Sequence, residues 1–346
     1  MQRICGSLAG AGYQVLLVGY TRKNSLPLVA KEYEQKRINC LFKKGKLFYA
    51  EYNIRLFFYL LFKKAECICA IDMDTVLPCY LLSGIKKIKR VYDAHEYFSQ
   101  LDEVVSRPFI YKYWHWLERV FIPKFKNGYT VCKSIADIFQ QKFGVSYRVI
   151  RNVPQITVWN QAEKKPNVLL YQGAVNKGRG LEKLIEAMKY INGELWICGD
   201  GNFFKEMKLA VNKHGVSGKV VFWGMLNPED LKNKTSAATV AINPFERDGL
   251  NQYLSLSNKY FDYIQNSLPQ VTMNFPEYKN INQEYEVALL IDDLEPATIA
   301  RAVNSLFTDK NLYKKLQENC IRAREVLNWQ QEEKILLAFY KQLFNA

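Results

Sequence analysis

The sequence predicts an α/β protein made of two doubly wound domains. Short apolar runs alternate with helical patterns from about residue 13 to residue 150, and the alternation restarts at residue 167. The length agrees, because 346 residues suits about two domains. Strands that alternate with helices imply parallel sheets covered on both faces.

In the first half, residues 13–19 (YQVLLVG) predict a strand and 47–64 an aromatic-rich helix. A strand at 67–71 precedes a helix at 76–84, and a strand at 89–92 precedes a helix at 108–123. The series closes with a strand at 128–132, a helix at 133–143 and a strand at 147–150. Residues 152–166 then carry two prolines and a Glu-Lys-Lys cluster, the composition of an interdomain linker. The first domain is expected over 1–152 and the second over 153–328. In the second, strands are predicted at 167–171, 194–198, 219–223, 239–242, 269–272 and 287–291. Helices are predicted at 181–190, 203–214, 228–235, 257–265, 296–307 and 312–327, with a last helix from 329 to about 344.

Composition narrows the classes. Hydrophobic residues at 49% and charged residues at 24% exclude disorder as the main state. The longest apolar run, residues 56–62, falls far short of the ~18 residues that a membrane-spanning helix needs. The eight cysteines form no C-x-x-C pair, so structural zinc is not expected and the thiols read as reduced and mostly buried in a cytosolic protein. No secretory signal is expected ahead of the globular sequence.

Charge is uneven. Residues 1–155 hold 25 Lys and Arg against 12 Asp and Glu, a net of +13, whereas the remainder is close to neutral. The clusters at Lys43-Lys44-Lys46, Lys63-Lys64 and Lys86-Lys87-Lys89-Arg90 would concentrate an anionic partner. With no nucleic-acid-binding signature beside them, nucleic acid is not the expected partner. An anionic membrane surface is, with the basic-flanked helix at 47–64 as its contact.

The loop Tyr171-Gln-Gly-Ala-Val-Asn-Lys-Gly-Arg-Gly180 follows a strand and opens a helix. Glycines 173, 178 and 180 allow close backbone approach, the helix start favours an anion, and Lys177 and Arg179 add full positive charge. A second glycine turn, Gly199-Asp200-Gly201, ends the next strand at the same edge.

These pieces resemble the retaining glycosyltransferases of family 4, which have the GT-B fold. The resemblance rests on YQGAVNKGRGLEKLIEAM, LWICGDG, VVFWGML, INPF and LSNKYFDYIQNSLPQV, in that order, with AIDMDT, VYDAHEYF and VIRNVP in the first half. It implies two Rossmann-like domains facing a cleft, a nucleotide-diphosphate sugar as donor, and no metal or other cofactor. It further implies that the last helix, 329–346, crosses back to the N-terminal domain. The donor site would comprise Gly173, Lys177, Arg179, Asn258, Lys259 and Asp262, with the Asp262 carboxylate holding the ribose hydroxyls. Arg179 and Lys259 would stabilise the departing diphosphate, and His95 would touch the donor sugar. Asp72, Asp74 and Glu96 are candidates for the acceptor side, and Asp93 also flanks the histidine. His115, in an aromatic helix, and His214, at a helix end, read as structural.

Three departures stand out. The sequence opens on what resembles the family's first helix and second strand, so the N-terminal domain is expected to lack its first strand. Either the reading frame starts upstream of Met1 or the chain is a natural truncation. The acid eight positions before Asp262 is replaced by Leu254, with Glu246 or Asp248 as candidates to reach the same space. The arginine after the first loop glycine is replaced by Ala174.

The leading expectation is an enzyme that transfers a sugar, with retention, to a glycan or lipid-phosphate-linked acceptor in the synthesis of bacterial surface polysaccharide or glycolipid. It would work in the cytoplasm, peripheral on the inner face of the membrane. The alternative is a catalytically degenerate GT-B module that binds a partner or a nucleotide sugar without turnover.

Overall fold

Parallel strands make up every sheet among the described residues, as the alternation requires. The computed structural model describes residues 1–23, 25–156 and 163–345. Of the expected linker, residues 157–162 lie outside the described residues. The chain divides into two units: Met1–Arg151 with Gln331–Ala346, and Asn152–Gln330.

Unit 1 runs α1 (Gln2–Gly10), β1 (Leu16–Tyr20), β2 (Glu34–Ile38), α2 (Gly45–Leu61), β3 (Cys67–Ile71), α3 (Val76–Lys86) and β4 (Lys89–Ala94). It continues with α4 (Asp102–Val105), α5 (Pro108–Phe121), β5 (Asn127–Thr130), α6 (Lys133–Phe143) and β6 (Arg148–Val149). Strands β3-β4-β5-β6 form one sheet, and β1-β2 form a separate pair. No ladder joins the two sheets among the described residues, and β1 and β3 each pair with another strand on one side only. Helix α2 ties the pieces together. Its Phe48, Tyr52 and Leu56 bury against Val18 and Tyr20 of β1, while Asn53 Nδ2 donates to the Asp74 carbonyl beyond β3 at 2.9 Å.

Unit 2 runs β7 (Val168–Gln172), α7 (Leu181–Ala187), β8 (Glu194–Cys198), α8 (Phe204–His214), β9 (Val220–Gly224), α9 (Pro228–Ala237) and β10 (Val240–Asn243). Then follow α10 (Leu250–Leu254), α11 (Asn258–Gln265), β11 (Gln270–Met273), α12 (Pro276–Tyr285), β12 (Ala288–Ile291), α13 (Pro296–Thr308) and α14 (Lys310–Arg324). The sheet order is β12-β11-β10-β7-β8-β9. Strands β7 and β10 are buried at every position, which explains the apolar runs VLLY and VAI that open them: both faces of a parallel sheet are covered. Helices α9, α12 and α13 each start on a proline, whose missing N–H costs nothing in a first turn.

The last helix, α15 (Trp329–Asn345), packs within unit 1 through its later residues. Phe339 lies edge-on to Tyr129 of β5, and Phe344 stacks on Tyr13. Glu332 accepts from the Arg151 backbone N–H and side chain at 2.9 and 3.0 Å.

The predicted elements all appear, with ends shifted by up to three residues. Strand β2 was not predicted. Its sequence, EQKRI, has no apolar alternation, and it becomes a strand by pairing with β1. The short helices α4 and α10 and the polar α12 were also unforeseen. Six of the eight cysteines are buried, and no disulfide joins any of them among the described residues.

Candidate functional site

The strand order of unit 2 reverses between β7 and β10, and a crevice opens at the carboxyl ends of strands on either side of such a switch point. The loop 173–180 leaves β7 at that place, and Pro244-Phe245-Glu246 leaves β10 beside it. The backbones touch. The Gly173 N–H donates to the Cys198 carbonyl at 2.9 Å, and Val175 N–H to Asp200 at 3.1 Å. A Cβ on Gly180 (φ +64) would sit 2.0 Å from the Pro244 carbonyl oxygen, and one on Gly199 (φ +154) 1.9 Å from that of Gly173. Only glycine permits this closure at either position.

Two cations converge over the aromatic floor of this loop. The Arg179 guanidinium lies 4.6 Å from the Phe245 ring centre, and Lys259 Nζ lies 4.7 Å from the same ring and 4.0 Å from that of Tyr171. Lys259 also lines Gly173, its Nζ 3.6 Å from where a Cβ would project. Neither cation is ion-paired among the described residues. Burial, and then the neighbouring Arg179, hold the Lys259 ammonium well below the usual lysine range. A desolvated cation next to a second cation, with no carboxylate partner, suits an arriving anion.

Asp262 is placed on α11 so that its Oδ2 accepts from Gln172 Nε2 at 2.9 Å, at the carboxyl end of β7. Gln172 Oε1 in turn accepts from Thr235 Oγ1 at 2.9 Å. Asn258, at the start of α11, is exposed and its Oδ1 accepts from Asn152 Nδ2 at 2.9 Å. Lys177 stands exposed on the loop. Leu254, at the position of the absent acid, is buried. Glu246 does reach the loop: its Oε1 accepts from Gly180 N–H, and its own N–H donates to the Gly178 carbonyl, both at 3.2 Å. Burial raises its carboxyl above the usual range. Asp248 is exposed.

In unit 1, His95, Asp93 and Asp72 form one cluster beyond β4. His95 Nε2 lies 3.3 Å from Asp93 Oδ1 and 3.3 Å from Met1 Sδ. The His95 backbone N–H donates to Asp72 Oδ1 at 2.9 Å. Burial opposes charge on His95, but the Asp93 bond and both carboxylates outweigh it and raise its pKa. Burial pushes Asp72 up to about 7, and Asp74 to about 6. Asp72 has φ +53, a backbone state that stores strain in a non-glycine residue. Glu96 is half-buried next to this cluster. His115 stacks on Tyr111, and His214 ends α8. The sequence reading gave no role to Phe245, Tyr171 or Gln172. The INPF segment carried Phe245, but nothing in it announced a ring beneath two cations.

Residues 155–323 match the family model described as Glycosyl transferases group 1. The whole chain resembles sucrose-phosphate synthase from Thermosynechococcus elongatus, with a TM-score of 0.83 over 99% of this chain and 92% of that one, at 16% identity. The fold is GT-B. Other GT-B structures agree. WaaG, a glycosyltransferase involved in lipopolysaccharide biosynthesis, gives a TM-score of 0.72 over 96% and 93% of the two chains, at 18% identity. HepE of Anabaena, solved with UDP, gives 0.71 over 95% and 100%, at 13% identity. At these identities the likeness is one of fold. No curated protein matches the sequence significantly.

Proposed function

We propose that the chain is a retaining glycosyltransferase that uses a nucleotide-diphosphate sugar. One observation carries the reading: Arg179 and Lys259 converge on Phe245 over the glycine loop, with Asp262 tethered at the end of the same strand. The match to a glycosyl transferase model over this segment and the UDP in HepE support it. The two cations and the loop amides would hold the diphosphate and neutralise the charge that grows as the glycosidic oxygen leaves, without a metal. Charge arranged in advance at such a position is usually the largest catalytic contribution. Asp262 would accept the ribose hydroxyls. His95, its ring held by Asp93, would contact the transferred sugar. Glu246 takes over as the acid missing at residue 254, and Asp72, Asp74 and Glu96 are proposed for the acceptor.

The acceptor is proposed to be a glycan or a lipid-phosphate-linked sugar of the cell surface, met at the inner face of an anionic membrane. The role named for WaaG and the net +13 of residues 1–155 support this. No helix among the described residues is long and apolar enough to cross a membrane.

Calorimetry with UDP- and GDP-sugars tests the donor site. The parent should bind one class, and Arg179→Ala and Asp262→Ala should weaken it. If both variants bind as the parent does, the assignment fails. The interrupted sheet of unit 1 and the buried Leu254 favour a second reading, a binding module without turnover. Donor hydrolysis or transfer by the purified protein would exclude it.

A further inference from the structure

A cationic cavity lies at the amino ends of the four-stranded sheet of unit 1, the edge opposite the His95 cluster that follows β4. All four strands run parallel, so their first residues share one edge. Lys89 opens β4, Lys126 directly precedes β5 and Arg148 opens β6. These three line a cavity of about 480 Å³ together with Asn127 and Ser146, and α15 supplies Phe339, Gln342 and Leu343. No carboxylate lines it, and none pairs with the three cations among the described residues. In the segments that lead into the four strands, residues 63–66, 86–88, 124–126 and 144–147, Glu66 is the only acid.

The protein itself uses these cations only in part. Lys89 Nζ donates to the Leu343 carbonyl and Arg148 Nη2 to Gln342 Oε1, which anchors the last turns of α15. An ammonium and a guanidinium each offer several N–H donors, so both keep donors for a ligand. Lys126 is exposed beside them. Two other cations of this edge are placed differently: Arg90 and Lys124 lie over the Tyr80 ring, 4.8 and 4.9 Å from its centre.

We propose that this cavity is a second anion site, which binds a phosphate monoester of a small hydroxyl-bearing molecule. The Arg148 fork and two ammonium groups match the oxygens of a phosphate. A bare phosphate would leave most of the space empty, because the volume is that of a site for a small organic molecule. Asn127 and Ser146 offer hydrogen bonds to hydroxyls, and Phe339 and Leu343 offer an apolar wall to the carbon skeleton. The lysine-rich edge around the cavity draws an anion towards it. Every lining residue belongs to unit 1, so the inference does not rest on the donor loop of unit 2.

The test is calorimetric titration of the full chain with glucose 1-phosphate. The parent should bind it, Arg179→Ala should bind it equally, and glucose should not bind. Lys126→Glu, a change at an exposed side chain, should weaken binding at least about tenfold, and so should Arg148→Gln. Lys63→Ala/Lys64→Ala, at the same edge but outside the cavity, should stay within about threefold of the parent at physiological salt. Thermal unfolding of each variant reports whether it is folded. Loss in Arg179→Ala with Lys126→Glu unaffected overturns the proposal, since the ligand would then sit in the donor loop. Equal weakening by Lys63→Ala/Lys64→Ala and Lys126→Glu overturns it in favour of a diffuse field that draws any anion. Inorganic phosphate that binds as tightly as the ester overturns the ligand class, and a parent that ignores the ester at millimolar concentration overturns the site.

Discussion

At the scale of residues, the protein places unlike demands on its buried charges. Lys259 is kept where its ammonium is unfavourable, so it should repay an anion more than a surface lysine can. Charged hydrogen bonds are worth about 1.5–3 kcal/mol, and Lys259→Met should therefore weaken nucleotide-diphosphate binding by about 10–100-fold. Nucleoside binding should change little, and calorimetry with both ligands checks the difference. Glu118 is the opposite case. Fully buried and bonded to Ser99 Oγ at 2.6 Å, it is pushed up to about 7 by burial. Its folded pKa lies above its unfolded one, so the folded state binds the extra proton between about 4.5 and 7. Its contribution to stability is then full at low pH and falls as pH rises through that window, by about 3 kcal/mol at most. Urea unfolding of Glu118→Gln should lose that part of the slope, and an unchanged slope would refute the assignment. The charged residues of the proposed donor site were legible in the sequence, because each sat in a recognisable motif. The burial of Glu118 was not, since a lone acid in an aromatic helix looks like any surface acid.

At the scale of elements, the proposed donor loop depends on backbone packed on backbone. Gly199→Ala would force a Cβ to within 1.9 Å of the Gly173 carbonyl. It should cost unit 2 about 2 kcal/mol or more and abolish nucleotide binding, read by thermal unfolding and calorimetry. Strands of the interior were legible because burial on both faces leaves an apolar run, as in VLLY of β7. EQKRI of β2 was not, because its identity comes from its neighbour rather than from its own side chains. The interruption beside β1 was legible for a different reason: the opening pieces resemble a helix and a second strand, and β1 pairs with another strand on one side only. Hydrogen exchange should report it directly. Amides of β1 and β3, each paired to another strand on one side, should exchange faster than those of β7 and β8. Equal protection would mean that the gap is closed in solution.

At the scale of the molecule, charge and the proposed donor site are divided between the units, with the excess of positive charge in residues 1–155 and the loop of converging cations in unit 2. A nucleoside diphosphate should raise the melting temperature of unit 2 and leave that of unit 1 in place; at one hundred times its dissociation constant the gain is about 2.7 kcal/mol. Calorimetric scans that show a single transition moving as a whole would argue against such independence. The split between β1 and β3 has one more consequence. Two rows of backbone donors and acceptors there have no strand beside them among the described residues, and any extended peptide satisfies them regardless of its side chains. Concentrated stocks are thus open to sticking through their main chains, a hazard that mutual repulsion between strongly basic halves restrains at low ionic strength and that added salt would unmask as turbidity.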